Sequence, residues 1–438
     1  MKAKLVPLYF DGYRDEEFDT QVSYLKDLLK EEAEFCDAVA LGAPLPECDA
    51  VVFPVLIGPA YRSLKEIQAI EQPILILTSE FGTVAMWDWE IISFLKSNGV
   101  SLIAPYQLSY TKIACRALAL KRTLPETKFL VFQDNPGEGM QPEIFKRFYW
   151  WEKSWKDSLK ERFGITIEER SYEQFAAYAK SIPDEAADKV IEEKKIDYCQ
   201  LTQKALRSAV KIYIALKEAV EADDSIKGVG INCLNESRFS DTTPCLAYNL
   251  LYEEKGLIWA CEGDTMTLFT QYIVNKTLNV PIMMTNIYPF LIGMAALKHE
   301  KIQTFPDVED PDQCMLLVHC GYLGFAPRCM CTRWEPKEKA LAIVDDNAMV
   351  VDAEIPKGDL TLVKIHPNLE KLLTVECLLD EYAQYPGSDC RNGAIIRVKD
   401  GHAFMKQLYS HHGCFITGHK KVELEFMADV LGLTTECC

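Results

Sequence analysis

The sequence predicts an α/β protein: two doubly wound, Rossmann-like α/β domains followed by a β-rich, antiparallel, barrel-like C-terminal domain. Three observations predict it. Over residues 1–125, and again over 126–298, short apolar runs alternate with segments of helical periodicity, the pattern of a parallel sheet covered by helices. Over 299–438 the pattern changes to short apolar runs separated by turn residues, as in an antiparallel barrel or sandwich. At 438 residues the chain also exceeds one ordinary hydrophobic core.

In the first block AKLVPLYF, DAVVFPVL, QPILILTS and VSLIAPY read as buried strands, because they are short, apolar and rich in branched residues. QVSYLKDLLKEEAEF and WDWEIISFLKSNG read as the helices between them. The second block opens with the strand TKFLVFQDN and a long aromatic helix, PEIFKRFYWWEKSWKDSLKERFG, ended by Gly164. ITIEERSYEQF supplies a strand and turn, and two helices follow, LTQKALRSAVKIYIALKEAVEA being the clearer. KGVGINCL and GLIWACEGD then resume the strands around a helical CLAYNLLYEEKG. In the last block MLLVHCGYLGF, ALAIVDDNAMVVDAEI, DLTLVKIHP, KLLTVECLLDEY, GAIIRVK and GCFITGHKK read as strands, and VELEFMADVLGL as a final amphipathic helix.

A formal net charge of −18 disfavours nucleic acid and anionic membrane surfaces, which attract basic patches. No apolar run approaches the roughly 18 residues that span a bilayer. The opening MKAKLVPLYFDGY has a basic start, but Asp11 interrupts its apolar run, so a cytoplasmic protein is expected. The 16 cysteines are scattered and read as reduced thiols, several of them (Cys115, Cys199, Cys314, Cys377) inside apolar runs. Cys329 and Cys331 lack a second pair at zinc spacing.

The sharpest chemical feature is ACEGDTMTLFTQYIV, where an apolar strand ends at Cys261 and Glu262 and Asp264 stand at the start of a helix. Ligands collect beyond the carboxyl ends of parallel strands, so two acids there can hold a divalent cation. The plainer alternative makes Asp264 a helix N-cap and Glu262 a solvated neighbour. His319 follows an apolar strand, where a histidine is also compatible with a core role. SHHGCFITGH adds His411, His412 and His419, and alternation along a strand lets at most one of His411 and His412 face a given site. Carboxylates with one or two imidazoles suit Mn²⁺ or a similar divalent ion, which polarises hydroxyl and carbonyl oxygens. Trp87 and Trp89, in TSEFGTVAMWDWE, can stack on a sugar face or simply pack. DNPGEGM lacks the phosphate-binding glycine patterns.

Taken in order, INCLNESRFSDTTPCLAYNLLYEEKGLIWACEGDTMTLFTQYIV, QCMLLVHCGYLGFAP and SHHGCFITGHKKVELEFMADVLGL resemble the L-fucose isomerase family, with L-arabinose isomerase a more distant relative. The likeness covers about residues 125–438, and the first 125 match only in architecture. It implies an Mn²⁺-type cofactor, a small-molecule sugar substrate, and a homo-oligomer, trimer or hexamer, with its active site between subunits. It makes Glu262 and Asp264 the leading metal ligands and catalytic carboxylates, with His412 as imidazole ligand, His319 as a looser match and His419 as structural. Trp87 and Trp89 would shape the substrate pocket. One departure stands out: the family's other metal-site acid should fall about two dozen residues before CEGD, where DTTPCLA has Cys245, with Glu236 of NCLNES as a shifted substitute.

The expected activity is therefore aldose–ketose isomerisation through a cis-enediolate. The alternatives keep the fold and metal but change the carbohydrate chemistry (epimerisation, aldolase-type cleavage, or isomerisation of a modified sugar), or make the protein a non-catalytic sugar binder.

Overall fold

The computed structural model describes residues 1–135, 148–196, 201–297, 308–319, 323, 326–338, 347–384 and 392–437. It has the predicted α/β architecture: two parallel sheets flanked by helices, followed by a closed antiparallel barrel. The chain divides into two compact units. One comprises residues 1–124, 276–279 and 422–434, and the other comprises 125–275, 280–421 and 435–438.

The first unit is built on strands β1 (Ala3–Tyr9), β2 (Ala33–Phe35), β3 (Val39–Ala40), β4 (Ala50–Phe53) and β5 (Ile74–Ile76). The order β2-β1-β4-β5 is parallel throughout, and β3 extends the edge of β1. Successive side chains of a strand face opposite ways, and both faces here are buried. Val6, Leu8, Val51, Phe53, Ile74 and Ile76 share one apolar cluster, whereas Leu5, Ala50, Val52 and Leu75 share another with the helix Leu108–Thr123. This two-sided burial is why the strands read as continuous apolar runs. VSLIAPY contributes only an isolated bridge, Leu75 to Ile103. The helix expected over QVSYLKDLLKEEAEF stops at Leu28, and Ala33–Phe35 pairs with β1 as β2.

The second unit opens with β6 (Lys128–Phe132), β7 (Thr166–Arg170), β8 (Ile226–Ile231) and β9 (Ile258–Cys261), parallel in the order β7-β6-β8-β9. The expected long aromatic helix is shorter: Tyr149–Trp151 is a 3-10 turn, Glu152 is extended, and the helix runs over Lys153–Phe163. Trp150 and Trp151 are both buried at that break. SYEQF starts a helix (Tyr172–Ser181) rather than ending in a turn, and helices Asp184–Glu193 and Gln203–Glu221 follow.

The barrel strands are β10 (Met283–Pro289), β11 (Cys314–Val318), β14 (Gly358–Ile365), β15 (Lys371–Gln384), β16 (Asn392–Val398) and β17 (His412–Thr417). They run β14-β17-β10-β11-β16-β15, and β15 pairs back onto β14 to close the ring. Strands β12 (Arg333–Glu338) and β13 (Met349–Glu354) form a separate antiparallel pair, and β18 (Thr434–Cys437) adds to β15. β10 lies in sequence within the block expected to be the second α/β domain, yet it pairs with β11 and β17 of the barrel. The expected boundary at 298/299 lies outside the described residues, as do Cys199 and most of DNPGEGM. Among the described residues no helix is long and apolar enough to cross a membrane.

Two glycines hold close approaches. A Cβ on Gly401 would sit 2.0 Å from the Asp312 carbonyl oxygen, and one on Gly164 (φ +76°) would sit 2.7 Å from Pro125 Cα. Because backbone blocks both, Gly401→Ala and Gly164→Ala should each lower stability by about 1–3 kcal/mol, read as a fall in the urea midpoint with an unchanged slope.

Candidate metal centre

The site is assembled where β9 runs into the helix Thr265–Leu278. Glu262 and Gly263 both adopt left-handed backbone, at φ +56° and +59°. Such a conformation is uncommon for a residue with a Cβ and is concentrated at functional sites. Asp264 N–H closes the turn on Cys261 O at 3.0 Å, while Gly263 N–H donates to Ile231 O at 3.2 Å. Aromatic side chains clamp the turn: Trp151 Nε1 donates to Glu262 O at 2.8 Å, and Trp155 Nε1 donates to Thr265 Oγ1 at 2.7 Å.

The barrel brings the histidines. Asn286 on β10 pairs with Val318 on one side and His412 on the other, so His319, one residue past β11, and His412, first of β17, flank the same strand. Their rings lie 5.6 Å apart. Both are buried, as are Glu262 and Asp264.

Asp264 is the most heavily engaged group. Its Oδ1 accepts from Thr267 N–H at 2.8 Å, the N-cap bond, while its Oδ2 accepts from the Thr267 hydroxyl at 2.6 Å and from His412 Nδ1 at 2.8 Å. Lys364, buried on β14, places Nζ 3.4 Å from the same oxygen and donates to Thr267 Oγ1. Burial alone would raise the Asp264 pKa, but Lys364, His412 and Thr267 outweigh it and hold the carboxyl well below the usual range.

Glu262 differs. His412 Nε2 and His319 Nε2 lie 3.8 and 4.0 Å from its Oε1. Burial raises its pKa, yet the neighbouring imidazoles, His412 foremost, bring it down to about 2. His412 responds in the opposite sense: burial lowers its pKa, but Glu262 and Asp264 push it up to about 9. His411 is lowered to about 3, by burial first and then by the charge of His412.

Two groups of side chains have ligand atoms close enough together, all within 4.8 Å, to hold a metal ion: Cys261, Glu262 and His319, and Glu262, His411 and His412. The donor chemistry fits a divalent cation. His412 Nδ1–H on Asp264 is the carboxylate–histidine arrangement that aims the other ring nitrogen at a metal. That nitrogen, Nε2, is buried without a hydrogen-bond partner among the described residues.

Of the expected ligands, Glu262, His319 and His412 are thus brought together. Asp264 is adjacent but belongs to neither group, because both of its oxygens are already engaged as helix cap and histidine partner. The expectation that only one of His411 and His412 can face the site is corrected. Alternation holds inside a strand, β17 begins at His412, and the two rings instead lie 4.1 Å apart on the same side. His419 is outside the group, with Nε2 3.3 Å from Cys377 O and half-exposed. Glu236 is fully buried but is held by the backbone N–H groups of Asp134 and Asn135 at 2.6–3.1 Å, and it is absent from both groups. Cys245 is buried in the first turn of its helix. Trp87 and Trp89 belong to the other compact unit, where Trp87 is 84 % exposed and Trp89 packs on an apolar cluster.

Sequence reasoning missed Lys364, Thr267, Cys261 and the aromatic clamp. Lys364 carried a signal, a lysine flanked by Val363 and Ile365 near the end of a strand. Compared with family models and with curated proteins, the chain matches none.

Lys364→Met would leave the buried Asp264 carboxylate without its lysine partner and should destabilise the protein by about 3–5 kcal/mol. Lys153→Met, which breaks a solvent-exposed pair with Asp157, should leave the urea midpoint unchanged.

Proposed function

We propose that the protein is a metal-dependent sugar isomerase that interconverts an aldose and a ketose, in the manner of the L-fucose and L-arabinose isomerases it resembles, with Mn²⁺ as the preferred cation. The observation that carries the reading is the buried Glu262–His412 pair oriented by Asp264, built from a parallel-sheet terminus and a barrel strand 150 residues apart in sequence. Glu262 with His411 and His412, or Glu262 with Cys261 and His319, would hold the ion, and the oxygen and imidazole donors of the first group suit Mn²⁺. When bound, the cation supplies Lewis-acid polarisation of neighbouring carbonyl and hydroxyl oxygens.

The chain's own residues account for the rest. Asp264 holds His412 through Nδ1–H, so that Nε2 is the ring nitrogen left to meet an ion once its proton is displaced, and Lys364 and Thr267 keep Asp264 ionised and fixed. Isomerisation moves one proton from C2 to C1 and one from the C2 hydroxyl to the C1 oxygen of an open-chain sugar, and the carbon proton requires a positioned base. Glu262, whose pKa is brought down to about 2 and whose carboxylate faces His412 and His319 at 3.8 and 4.0 Å rather than capping a helix as Asp264 does, is the carboxylate suited to that role. Burial of the whole group excludes water that would compete for the proton.

A second reading keeps the metal and the carbohydrate substrate but changes the reaction to epimerisation, aldolase-type cleavage or isomerisation of a modified sugar. It is favoured by Glu236, whose carboxylate is committed to backbone N–H groups rather than to a second acid position beside Glu262.

Metal analysis of the purified protein should find a stoichiometric divalent ion. Glu262→Gln and His412→Ala should each lower occupancy at least about tenfold, and Asp264→Asn should weaken affinity by about 10–100-fold through His412. In deuterated water the loaded protein should exchange the C2 proton of its aldose. Unchanged occupancy in both the Glu262 and His412 variants would sink the assignment, and cleavage or inversion products without ketose would select the second reading.

A further inference from the structure

The sheet β7-β6-β8-β9 winds outward in two directions from β6, so β6 and β8 border a topological switch point, the crevice where open α/β sheets collect ligands. Three carboxamides stand at its carboxyl end. Gln133 follows β6, and Asn232 and Asn235 follow β8. Asn232 is fully buried and Asn235 is 3 % exposed. The oxygen and nitrogen of both side-chain amides, together with buried Gln133 Oε1, have no hydrogen-bond partner among the described residues.

The backbone here is not similarly wanting. Asn232 N–H donates to Phe132 O at 3.0 Å, and its carbonyl accepts from Glu236 N–H at 3.2 Å. That single helical turn brings residues three apart to one side. Buried polar side chains are paired in the great majority of cases, so five such atoms at one crevice call for a ligand. The crevice adjoins the metal centre: a Cβ on Gly263, between Glu262 and Asp264, would lie 3.2 Å from Gln133 Oε1, and Cys233 Sγ is 2.9 Å from Cys261 Sγ.

We propose that Asn232 and Asn235, with Gln133, bind the hydroxyl chain of the substrate, and that this part of the substrate is neutral and unphosphorylated. A carboxamide offers one acceptor and one donor group, matching hydroxyls that both give and accept. Three of the five atoms are carbonyl oxygens, and the Glu236 carboxylate follows directly in sequence, a set that repels phosphate. The identity of the reacting end at Glu262 rests on the isomerase reading, whereas the hydroxyl-binding role of the amides is separately measurable.

The test is calorimetric binding of five- and six-carbon alditols, open-chain polyols that cannot isomerise, to the protein with and without Mn²⁺. Asn232→Ala and Asn235→Ala should each weaken alditol binding at least about tenfold. Mn²⁺ occupancy should be unchanged and the melting temperature not lowered, because neither side-chain amide has a hydrogen-bond partner among the described residues. Alditol phosphates should bind more weakly than the alditols. Wild-type affinity in both variants, or a wild-type protein that binds no alditol in either state, would overturn the proposal. Loss of alditol affinity in the variants of a protein that takes up no Mn²⁺ would uphold the amide site while refuting the metal reading.

Discussion

The buried carboxylate of Asp264 is the constraint on which the second unit depends. An isolated charge at zero exposure could not persist, and this one persists because a helix N-terminus, a threonine hydroxyl, a lysine and an imidazole all converge on it. Those partners come from three places: its own helix, β14 and β17. The same two oxygens therefore end a parallel-sheet strand, start a helix and tie both to the barrel. Register follows, since a one-residue slip of β17 would turn His412 to the other face of its strand.

With Asp264 so employed, the neighbouring Glu262 keeps a carboxylate that neither caps the helix nor holds Lys364. The two acids stand two residues apart, yet their surroundings separate them into a fixed partner and a candidate ligand. Left-handed backbone at Glu262 and Gly263 makes this possible, because it turns the chain sharply enough for one acid to cap the helix while the other meets His319 and His412. Gly263 also allows Gln133 and Trp151 to approach the turn closely, so the candidate metal centre and the amide-lined crevice share one structural joint.

Much of the architecture was legible in the chain. Apolar runs such as AVVF and ILI announced strands buried on both faces, and the change of pattern after residue 299 announced the barrel. What escaped was governed by distant partners. Ala33–Phe35 looks like the tail of a helix until β1 offers it an edge, and β10 looks like part of an α/β block until β11 and β17 pair with it. In the site, CEGD and HHG were visible as chemistry, whereas the division of labour between Glu262 and Asp264 was not, because nothing local signals that Lys364 and Thr267 will claim one acid and not the other.

The sequence by itself determined the elements, their order, and which residue types could bind a cation or a polyol, because periodicity and side-chain chemistry are local properties. Only the tertiary structure decided how the two acids divide their partners, that His411 joins His412, and that two carboxamides, Asn232 and Asn235, are buried with unmatched amide groups. The physical reason is that hydrogen-bond satisfaction and burial are properties of the surroundings, and those exist only once strands far apart in the chain have closed around the site.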